Sequence, residues 1–192
     1  SETALTALGA EAVVQLDAFI DCDKVIIQWL VEHLLLEDLS ACLDGKSIKE
    51  ICELRSKMHF ADKTRAQYAL CASAYELIRN VRYQPEQGFN NILEKYLHED
   101  WQVDYWYRQF YTAYDSLKNA SGFGKLQQLI ENIYSNIYLG KLLTAWNEDA
   151  VQAAAQKQAP LQRDFYSRYI KNERDRIVVI ISDALRSEEH TS

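Results

Sequence analysis

The apolar positions recur with the spacing of an amphipathic α-helix over most of the chain. In Asp21–Glu37 they fall at i, i+3 and i+4, which predicts a helix with one buried face. Ser47 is followed three residues later by Glu50, the spacing of a capping box, which predicts a helix that continues to about Lys57. A further predicted helix opens at Asp62 and continues to about residue 81.

An aromatic run, Trp101–Tyr114, follows a predicted break at residues 84–86. Its large side chains fall on one stripe, which consists of Val103, Trp106, Tyr107, Phe110, Tyr114 and Leu117. Such a stripe is either a platform on which the bases of a single-stranded nucleic acid stack or the buried face of a helix. We interpret it as core, because the chain has no surplus of basic residues.

Two more helical stretches are predicted after a glycine-containing loop at residues 119–124. The apolar pattern of Leu126–Trp146 predicts the longest helix. Gly140 lies in its interior, where we expect close packing against another helix, because Gly otherwise costs about 1 kcal/mol relative to Ala. Residues 147–160 predict a helix followed by a hinge. Residues 162–171 predict a short helix with Phe165, Tyr166, Tyr169 and Ile170 as apolar anchors.

Ile177–Ile181 is the one segment whose composition predicts a β-strand. An unbroken run of β-branched residues is typical of a strand buried on both faces in a parallel sheet. Because a lone buried strand is not stable, we expect its sheet to be built from residues outside this chain. The predicted fold class is therefore mainly α, with a multi-helix domain over residues 1–158. One strand then begins a truncated α/β domain over residues 159–186.

Composition excludes several classes of protein. Of the 192 residues, 48% are hydrophobic, which is enough for a core, and only 2 Pro and 6 Gly argue against an all-β barrel or sandwich. With 21 Lys+Arg against 28 Asp+Glu the net charge is −7, so the chain is a poor candidate for binding nucleic acid directly. Most of the acidity lies in residues 1–60, which hold 5 basic and 11 acidic residues.

The cysteine pattern and the absence of long apolar stretches indicate a cytoplasmic protein. The cysteines, Cys22, Cys42, Cys52 and Cys71, form no CxxC pair. We expect them to be small buried thiols on helices, and neither a zinc site nor a disulfide framework. No stretch approaches the roughly 20 apolar residues of a membrane span, and the N-terminus lacks the pattern of a signal peptide.

Ser182 and Asp183 follow the predicted strand directly. Ligands of open α/β sheets bind beyond the carboxyl ends of the strands, so a carboxylate there is positioned for a metal ion or a phosphate. The alternative is that Ser182 or Asp183 only caps the next helix. Residue type and position leave both interpretations open.

The segment DRIVVIISDALR, residues 175–186, resembles the opening strand and metal-binding motif of PglZ-type proteins. These belong to the alkaline phosphatase superfamily and occur in bacterial BREX phage-defence systems. The helical segments VDYWYRQFYTAYDSL, LIENIYSNIYLGKLLTAW and QRDFYSRYI resemble the same family in the same order, from about Ile48 to Arg186, most closely its type A branch.

By this resemblance Asp183 is the first metal-ligating aspartate of an alkaline-phosphatase-like domain, and the metal is a divalent ion such as Zn²⁺. Two-metal phosphatases need several Asp and His ligands from successive strands. This chain supplies one candidate, and none of its four histidines lies at a strand end. We therefore expect an inactive fragment of a metal-dependent phosphatase or phosphodiesterase that binds no cofactor well by itself.

Two other functions stay open at this point. The first is a non-catalytic helical scaffold that docks partner subunits of a defence complex through its aromatic helices and acidic first third. The second is a response-regulator-like domain with Asp183 as phosphoacceptor. The expected partners are other phage-defence proteins. No membrane contact is expected, and nucleic acid is expected only through the full complex.

The resemblance ends after Arg186. Residues 187–192 complete the peptide RSEEHTS, which one reading frame of a common sequencing adapter encodes. We therefore expect these residues to be a non-native tail, with Arg186 belonging either to the tail or to the protein, and exclude them from the fold.

Overall fold

The computed structural model describes residues 9–17, 19–81, 84, 86–155 and 162–179, and this part of the chain is mainly α-helical, as predicted. The α-helices are α1 (Ile20–Leu35), α2 (Ile48–Arg55), α3 (Ala61–Asn80), α4 (Phe89–Lys95), α5 (Trp101–Asp115), α6 (Gly124–Asn132) and α7 (Gly140–Ala155). Residues 9–13 are also helical. Two short strands, β1 (Cys42–Leu43) and β2 (Lys46–Ser47), form an antiparallel pair. No helix of the described residues is long and apolar enough to cross a membrane.

The ends of the first helices follow from local chemistry. Helix α1 ends two residues before the predicted position, because Glu37 adopts a positive φ of 54° and the amide of Asp38 donates to the carbonyl of His33. This is a Schellman C-cap. The predicted capping box of α2 is confirmed, since the amide of Ser47 donates to Glu50 Oε2 at 2.8 Å and the amide of Glu50 donates to Ser47 Oγ at 3.3 Å.

The chain divides into two compact units. Unit 1 is Ser1–Tyr83 with Gln102–Tyr138, and unit 2 is Gln84–Trp101 with Leu139–Ser192. The predicted domain boundary at residues 158–159 falls among residues 156–161, which lie outside the described part of the chain, so it stays a prediction.

The core of unit 1 is built from one apolar face of each of its helices. Helix α1 buries Ile26, Leu30 and Leu34 at the predicted spacing. Facing residues come from α2, α3, α5 and α6; fully buried examples are Ile48, Ile51, Leu70, Ala74, Leu77, Phe110, Leu126 and Ile130. Burial of this apolar surface is the main force that stabilises unit 1.

The aromatic stripe of α5 belongs to this core. Phe110 is fully buried, and Trp106, Tyr107 and Tyr114 are half-buried against the core of unit 1. The interpretation of the stripe as core is therefore confirmed. The stripe therefore packs against the core of unit 1 and does not form an open stacking platform.

The longest predicted helix is interrupted by a π-helical segment. Between α6 and α7, Ile133–Leu139 is π-helical, and so is Tyr96–Asp100 between α4 and α5. The wider π turn places residues five apart on one face, and Ile133 and Tyr138 are both buried. The prediction of close packing at Gly140 is wrong, because Gly140 is exposed and begins α7 directly after the π segment.

Unit 2 is held by contacts between α4 and α7. The ring centroids of Phe89 and Trp146 lie 5.0 Å apart, and the amide of Gly88 donates to Asp149 Oδ2 at 2.7 Å. Gly88 has a φ of 89°, a conformation that glycine adopts without strain, so it fits the position that precedes α4. Ile92 of α4 is buried.

We predict that Phe110→Ala lowers the free energy of unfolding by about 3–5 kcal/mol, because it removes a fully buried ring from the core of unit 1. Urea unfolding followed by circular dichroism measures this change. Thr112→Ala on the exposed face of the same helix is the control, with an expected change of about 0.5 kcal/mol or less. Equal, small effects of both substitutions would contradict the assignment of the stripe to the core.

Candidate functional site

The predicted metal ligand, Asp183, lies outside the described residues, as does Ser182. The structure therefore decides neither the metal-ligand nor the cap interpretation of these two side chains. The described chain does include the approach to them, residues 162–179.

The approach segment begins with a 3₁₀ turn, Gln162–Asp164, followed by the π-helical turn Tyr166–Ile170. A helical stretch was predicted here, but the expectation of buried anchors is wrong for three of the four residues. Phe165, Tyr166 and Tyr169 are 40%, 64% and 59% exposed. The rings of Phe165 and Tyr169 contact each other, with centroids 5.4 Å apart.

Ile177, Val178 and Val179, the described part of the predicted strand, pair with no strand of the described chain. Val178 is 80% exposed. A strand with two apolar faces needs neighbouring strands and a layer on each side, and the described residues provide neither. The strand therefore stays a prediction that depends on residues not described here.

The described residues offer no alternative metal centre. They contain no group of three or more His, Cys, Asp or Glu side chains that could hold a metal ion. His33 Nδ1 lies 3.2 Å from Asp38 Oδ2, and His98 Nε2 lies 3.2 Å from Glu94 Oε2, so both rings are engaged in surface pairs. As far as it is described, the chain does not fit a divalent metal by itself.

All four cysteines are free thiols, as predicted. Cys22, Cys52 and Cys71 are buried, and burial raises the pKa of Cys71 to about 12, so this thiol is unreactive at neutral pH. The expectation of a buried helical position is wrong for Cys42, which is exposed on β1. The apolar pattern around Cys42 resembles the end of a helix, but the chain there turns into a hairpin.

A buried ion pair joins α1 to α2. Asp23, at 2% exposure, accepts hydrogen bonds on Oδ1 from Arg55 Nε at 3.0 Å and Arg55 Nη2 at 2.6 Å. Tyr68 of α3 donates to the same oxygen at 2.6 Å. Arg55 Nη1 also donates to the backbone carbonyls of Leu16 at 2.7 Å and Val14 at 3.3 Å.

The hydrogen-bond partners of Arg55 outweigh the cost of burying its charge. Burial opposes the charged form of Arg55, but the hydrogen bonds with Asp23 and the neighbouring negative charge leave its pKa raised. Burial, followed by the hydrogen bond to Asp23, raises the pKa of Tyr68 well above its ordinary value, so its hydroxyl stays protonated and donates. Asp23 Oδ2 has no hydrogen-bond partner in the described chain.

Glu76 of α3 is a second buried carboxylate, and a different cation lies beside each of its two oxygens. Oε1 lies 2.8 Å from Lys49 Nζ and Oε2 lies 2.8 Å from Arg79 Nη2, both without hydrogen-bond angles. The carboxylate raises the pKa of Lys49. Each oxygen of Glu76 thus has a cation beside it. In Asp23, by contrast, Oδ1 accepts all three hydrogen bonds and Oδ2 accepts none in the described chain.

A tyrosine cluster joins α5 to α6 and to the π-helical segment that follows α6, at the surface of unit 1. Tyr107 and Tyr111 both donate to Glu131 Oε2, at 2.8 and 2.7 Å, and Tyr134 donates to Asp104 Oδ1 at 2.8 Å. The rings of Tyr107 and Tyr134 stack with centroids 3.7 Å apart. The hydrogen bonds from Tyr111 and Tyr107 lower the pKa of Glu131.

Sequence reasoning missed the Asp23 network. Asp23 lies in the first turn of α1 and Arg55 in the last turn of α2, where each residue type also suits the helix dipole. The two residues are 32 positions apart, and Tyr68 is 45 positions from Asp23. The only sequence signal is an Asp among the apolar positions of an amphipathic helix.

Comparison with known proteins found two curated relatives. The chain is 31% identical to the alkaline phosphatase-like protein PglZ of Bacillus cereus (strain H3081.97) over 188 residues, which cover 90% of this chain and 21% of that protein. It is 31% identical to the alkaline phosphatase-like protein BrxZ of Escherichia coli O9:H4 (strain HS) over 186 residues, which cover 86% of this chain and 21% of that protein.

The chain thus spans about a fifth of the length of the curated relatives it matches. No protein-family model matches the sequence. No solved structure is significantly similar to it.

We predict that Arg55→Met lowers the free energy of unfolding by about 3–5 kcal/mol, because it leaves the charge of Asp23 buried without its cation. The double variant Asp23→Leu/Arg55→Met is expected to recover most of this loss in urea unfolding. Arg65→Met, in an exposed pair with Asp62 at 3.5 Å, is the control and changes stability by about 1 kcal/mol or less. If the free-energy changes of the two single substitutions simply add up in the double variant, the pairing is contradicted.

We predict that Glu131→Gln destabilises the protein at pH 7 by about 1 kcal/mol or less, since the hydrogen bonds to Glu131 are at the surface. The folded state lowers the pKa of this carboxyl, so its contribution is present above the ordinary Glu pKa and is lost as pH falls through the folded value. Urea unfolding between pH 7 and pH 3 should show the two proteins converging at low pH. A difference that stays constant with pH would contradict the role of Glu131.

Proposed function

This chain is similar in sequence to the alkaline phosphatase-like proteins PglZ and BrxZ, which confirms the predicted resemblance, and on this basis we propose that it is the helical region and first catalytic strand of a PglZ-like phosphatase or phosphodiesterase. The observation that carries the proposal is the 31% identity over 90% of the chain. The motif DRIVVIISDALR, which ends the resemblance, supports it further.

In the proposed enzyme Asp183 is one ligand of a divalent metal ion, with Zn²⁺ as the expected metal. A carboxylate fixed at a strand end is a hard oxygen ligand, and a bound divalent ion there polarises a phosphoryl oxygen. The remaining ligands and the nucleophile are contributed by other parts of the longer protein. The exposed run Ile177–Val179 supports this arrangement, because its two apolar faces fit between strands and helices that the described residues lack.

We further propose that the 192-residue chain by itself does not hydrolyse phosphoesters, because a two-metal site needs several ligands and the sequence supplies one candidate. The longer protein would act in the cytoplasm as part of a BREX phage-defence system, with other defence proteins as partners. Nucleic acid would be contacted only through that complex. The domain division at residues 158–159 belongs to the same proposal.

The second candidate function is a helical scaffold that docks partner subunits without catalysis. The exposed rings of Tyr166 and Tyr169 favour it, because solvent-exposed aromatic side chains on one short segment are typical of a surface that a partner covers. Both functions can occur in one protein, so the test must separate hydrolysis from phage defence.

The experiment uses a chimera in which residues 1–186 replace the aligned segment of the Bacillus cereus relative. Zn²⁺-dependent hydrolysis of bis-p-nitrophenyl phosphate is measured for the chimera and for the 192-residue chain alone. We expect activity only in the chimera. Asp183→Ala should lower it by about 100-fold or more, since losing even an outer hydrogen bond to a ligand costs about 10–100-fold. Asp175→Ala, a carboxylate on the same exposed segment, is the matched control and should keep full activity.

Phage plating on cells that carry the chimera separates the two candidates. Loss of both hydrolysis and protection in Asp183→Ala supports the enzyme. Protection that survives the loss of hydrolysis supports the scaffold. Full hydrolysis by Asp183→Ala would contradict the ligand assignment, and metal-dependent hydrolysis by the chain alone would contradict its proposed inactivity.

A further inference from the structure

More than half of the large apolar side chains that the described residues expose lie in one short segment of unit 2. Eleven such side chains are exposed in the described residues, and six of them fall within Phe165–Val179. They are Phe165, Tyr166, Tyr169, Ile177, Val178 and Val179. Single apolar residues scattered over a surface are normal, whereas a cluster of this kind marks a face that another structure covers.

The aromatic part of the cluster belongs to the π-helical turn Tyr166–Ile170. The rings of Phe165 and Tyr169 contact each other across one turn, and Tyr166 follows Phe165 directly. In a helical turn these spacings place the three side chains on one side. The turn therefore presents a small aromatic face to the solvent.

The aliphatic part, Ile177–Val179, has the alternation of a β-strand. Val178 is about twice as exposed as its neighbours Ile177 and Val179, and successive side chains of a strand point to opposite sides. No strand of the described chain pairs with this run. An apolar strand is stable only beside other strands and under a covering layer, so this run needs both.

The two parts of the cluster are close together along the chain. Residues 171–176 separate Ile170 from Ile177, and six residues span at most about 21 Å. Connections of about 2–6 residues between a helix and the next strand are typical where the helix packs on the sheet of that strand. A sheet that includes Ile177–Val179 therefore lies within reach of the aromatic turn.

Charge and chain length indicate what covers the cluster. Residues 162–179 hold five basic and three acidic side chains, a mixture that favours neither a nucleic acid nor an anionic lipid surface. Apolar contact thus decides the occupant. The curated relatives have about four fifths of their length outside the matched segment, and a covering element on the same polypeptide is present at a high effective concentration.

We propose that Phe165–Val179 is an intramolecular docking surface, covered by the part of the longer protein that lies outside the matched segment. A neighbouring strand lies beside Ile177–Val179, and an apolar face of the same sheet packs on the rings of Phe165, Tyr166 and Tyr169. The inference rests on the proposed function in one respect, that the chain is a segment of a longer PglZ-like protein. A scaffold would instead leave these rings open for a separate subunit.

Hydroxyl-radical footprinting with mass spectrometry tests the docking in the chimera that carries residues 1–186 in the Bacillus cereus relative. Oxidation of Tyr166 and Tyr169 is compared between the chimera and the 192-residue chain, with the exposed Phe19 of unit 1 as the reference in the same digest. We expect the oxidation rate of both tyrosines to fall to about a tenth in the chimera, because residues at the centre of an interface are desolvated. Phe19 should keep its rate.

Three results of the footprinting would overturn the proposal. The first is that Tyr166 and Tyr169 are as accessible in the chimera as in the chain alone, which is the result expected if a separate subunit covers them. The second is that Phe19 is protected to the same degree as the tyrosines. The third is that the chain alone protects its tyrosines as its concentration rises, because a second copy then covers the surface.

Two substitutions on the turn provide a second measurement. Tyr166→Asp puts a carboxylate on the aromatic face, and Ser167→Asp puts the same group at the next position, where the Ser167 hydroxyl donates to the carbonyl of Asp164 at 2.9 Å. Both positions are exposed, so neither variant should shift the urea midpoint of the 192-residue chain. In the chimera only Tyr166→Asp should lower the midpoint. Equal midpoints of the two variant chimeras would overturn the proposal.

Neither readout requires hydrolysis, so the two proposals can fail separately. A chimera that protects Tyr166 and Tyr169 but hydrolyses no phosphoester contradicts the proposed function and supports the docking surface. Hydrolysis by a chimera whose tyrosines stay accessible supports the proposed function and overturns the docking surface.

Discussion

The rest of unit 1 depends on the need to pair a carboxylate that the fold has buried. Asp23 is the one charged side chain on the inner face of α1, and Arg55 of α2 and Tyr68 of α3 meet it at a single oxygen. An ion removed from water costs several kcal/mol unless its partners are well placed, so the three helices have little freedom to shift against one another. Arg55 extends the constraint by binding backbone carbonyls of the segment that precedes α1.

The same network distributes its donors unequally over the two oxygens of the Asp23 carboxylate. Because Arg55 and Tyr68 both bond to Oδ1, the network is held together at one oxygen, and the buried Oδ2 has no donor in the described chain. Glu76 shows the alternative, with a cation beside each oxygen. The catalytic chemistry we propose is separate. It depends on Asp183 and on the exposed apolar run before it, whereas the helical core of unit 1 is a folded support.

The features that the sequence predicts are those set by neighbouring residues. The face of α1, the capping box at Ser47 and the buried stripe of α5 all depend on spacings of three or four residues, and the structure confirms them. The resemblance to PglZ-type proteins could also be recognised from the sequence, because it rests on several segments that occur in the same order.

The Asp23 network could not be predicted from the sequence, since it joins residues that are 32 and 45 positions apart. The π segment at Ile133–Leu139 was not predicted, because the apolar spacing was compared only with the 3.6-residue turn of an α-helix and not with the wider π turn. Residue type and position left the role of Asp183 open between metal ligand and helix cap, the resemblance favours the ligand role, and this role stays a prediction because residue 183 lies outside the described part of the chain.

The packing of α1, α2 and α3 depends most on the bond between Arg55 and Asp23, and hydrogen exchange at the Arg55 side chain measures this bond directly. In a ¹⁵N-labelled sample at neutral pH, the Nε–H of Arg55, which donates to Asp23 Oδ1 at 3.0 Å, should exchange with water only when the helices separate. The exposed side chain of Arg65 provides the reference in the same spectrum. We expect the exchange of Arg55 Nε–H to be slower than that of Arg65 by several orders of magnitude. Equal exchange rates at the two sites would contradict the buried network.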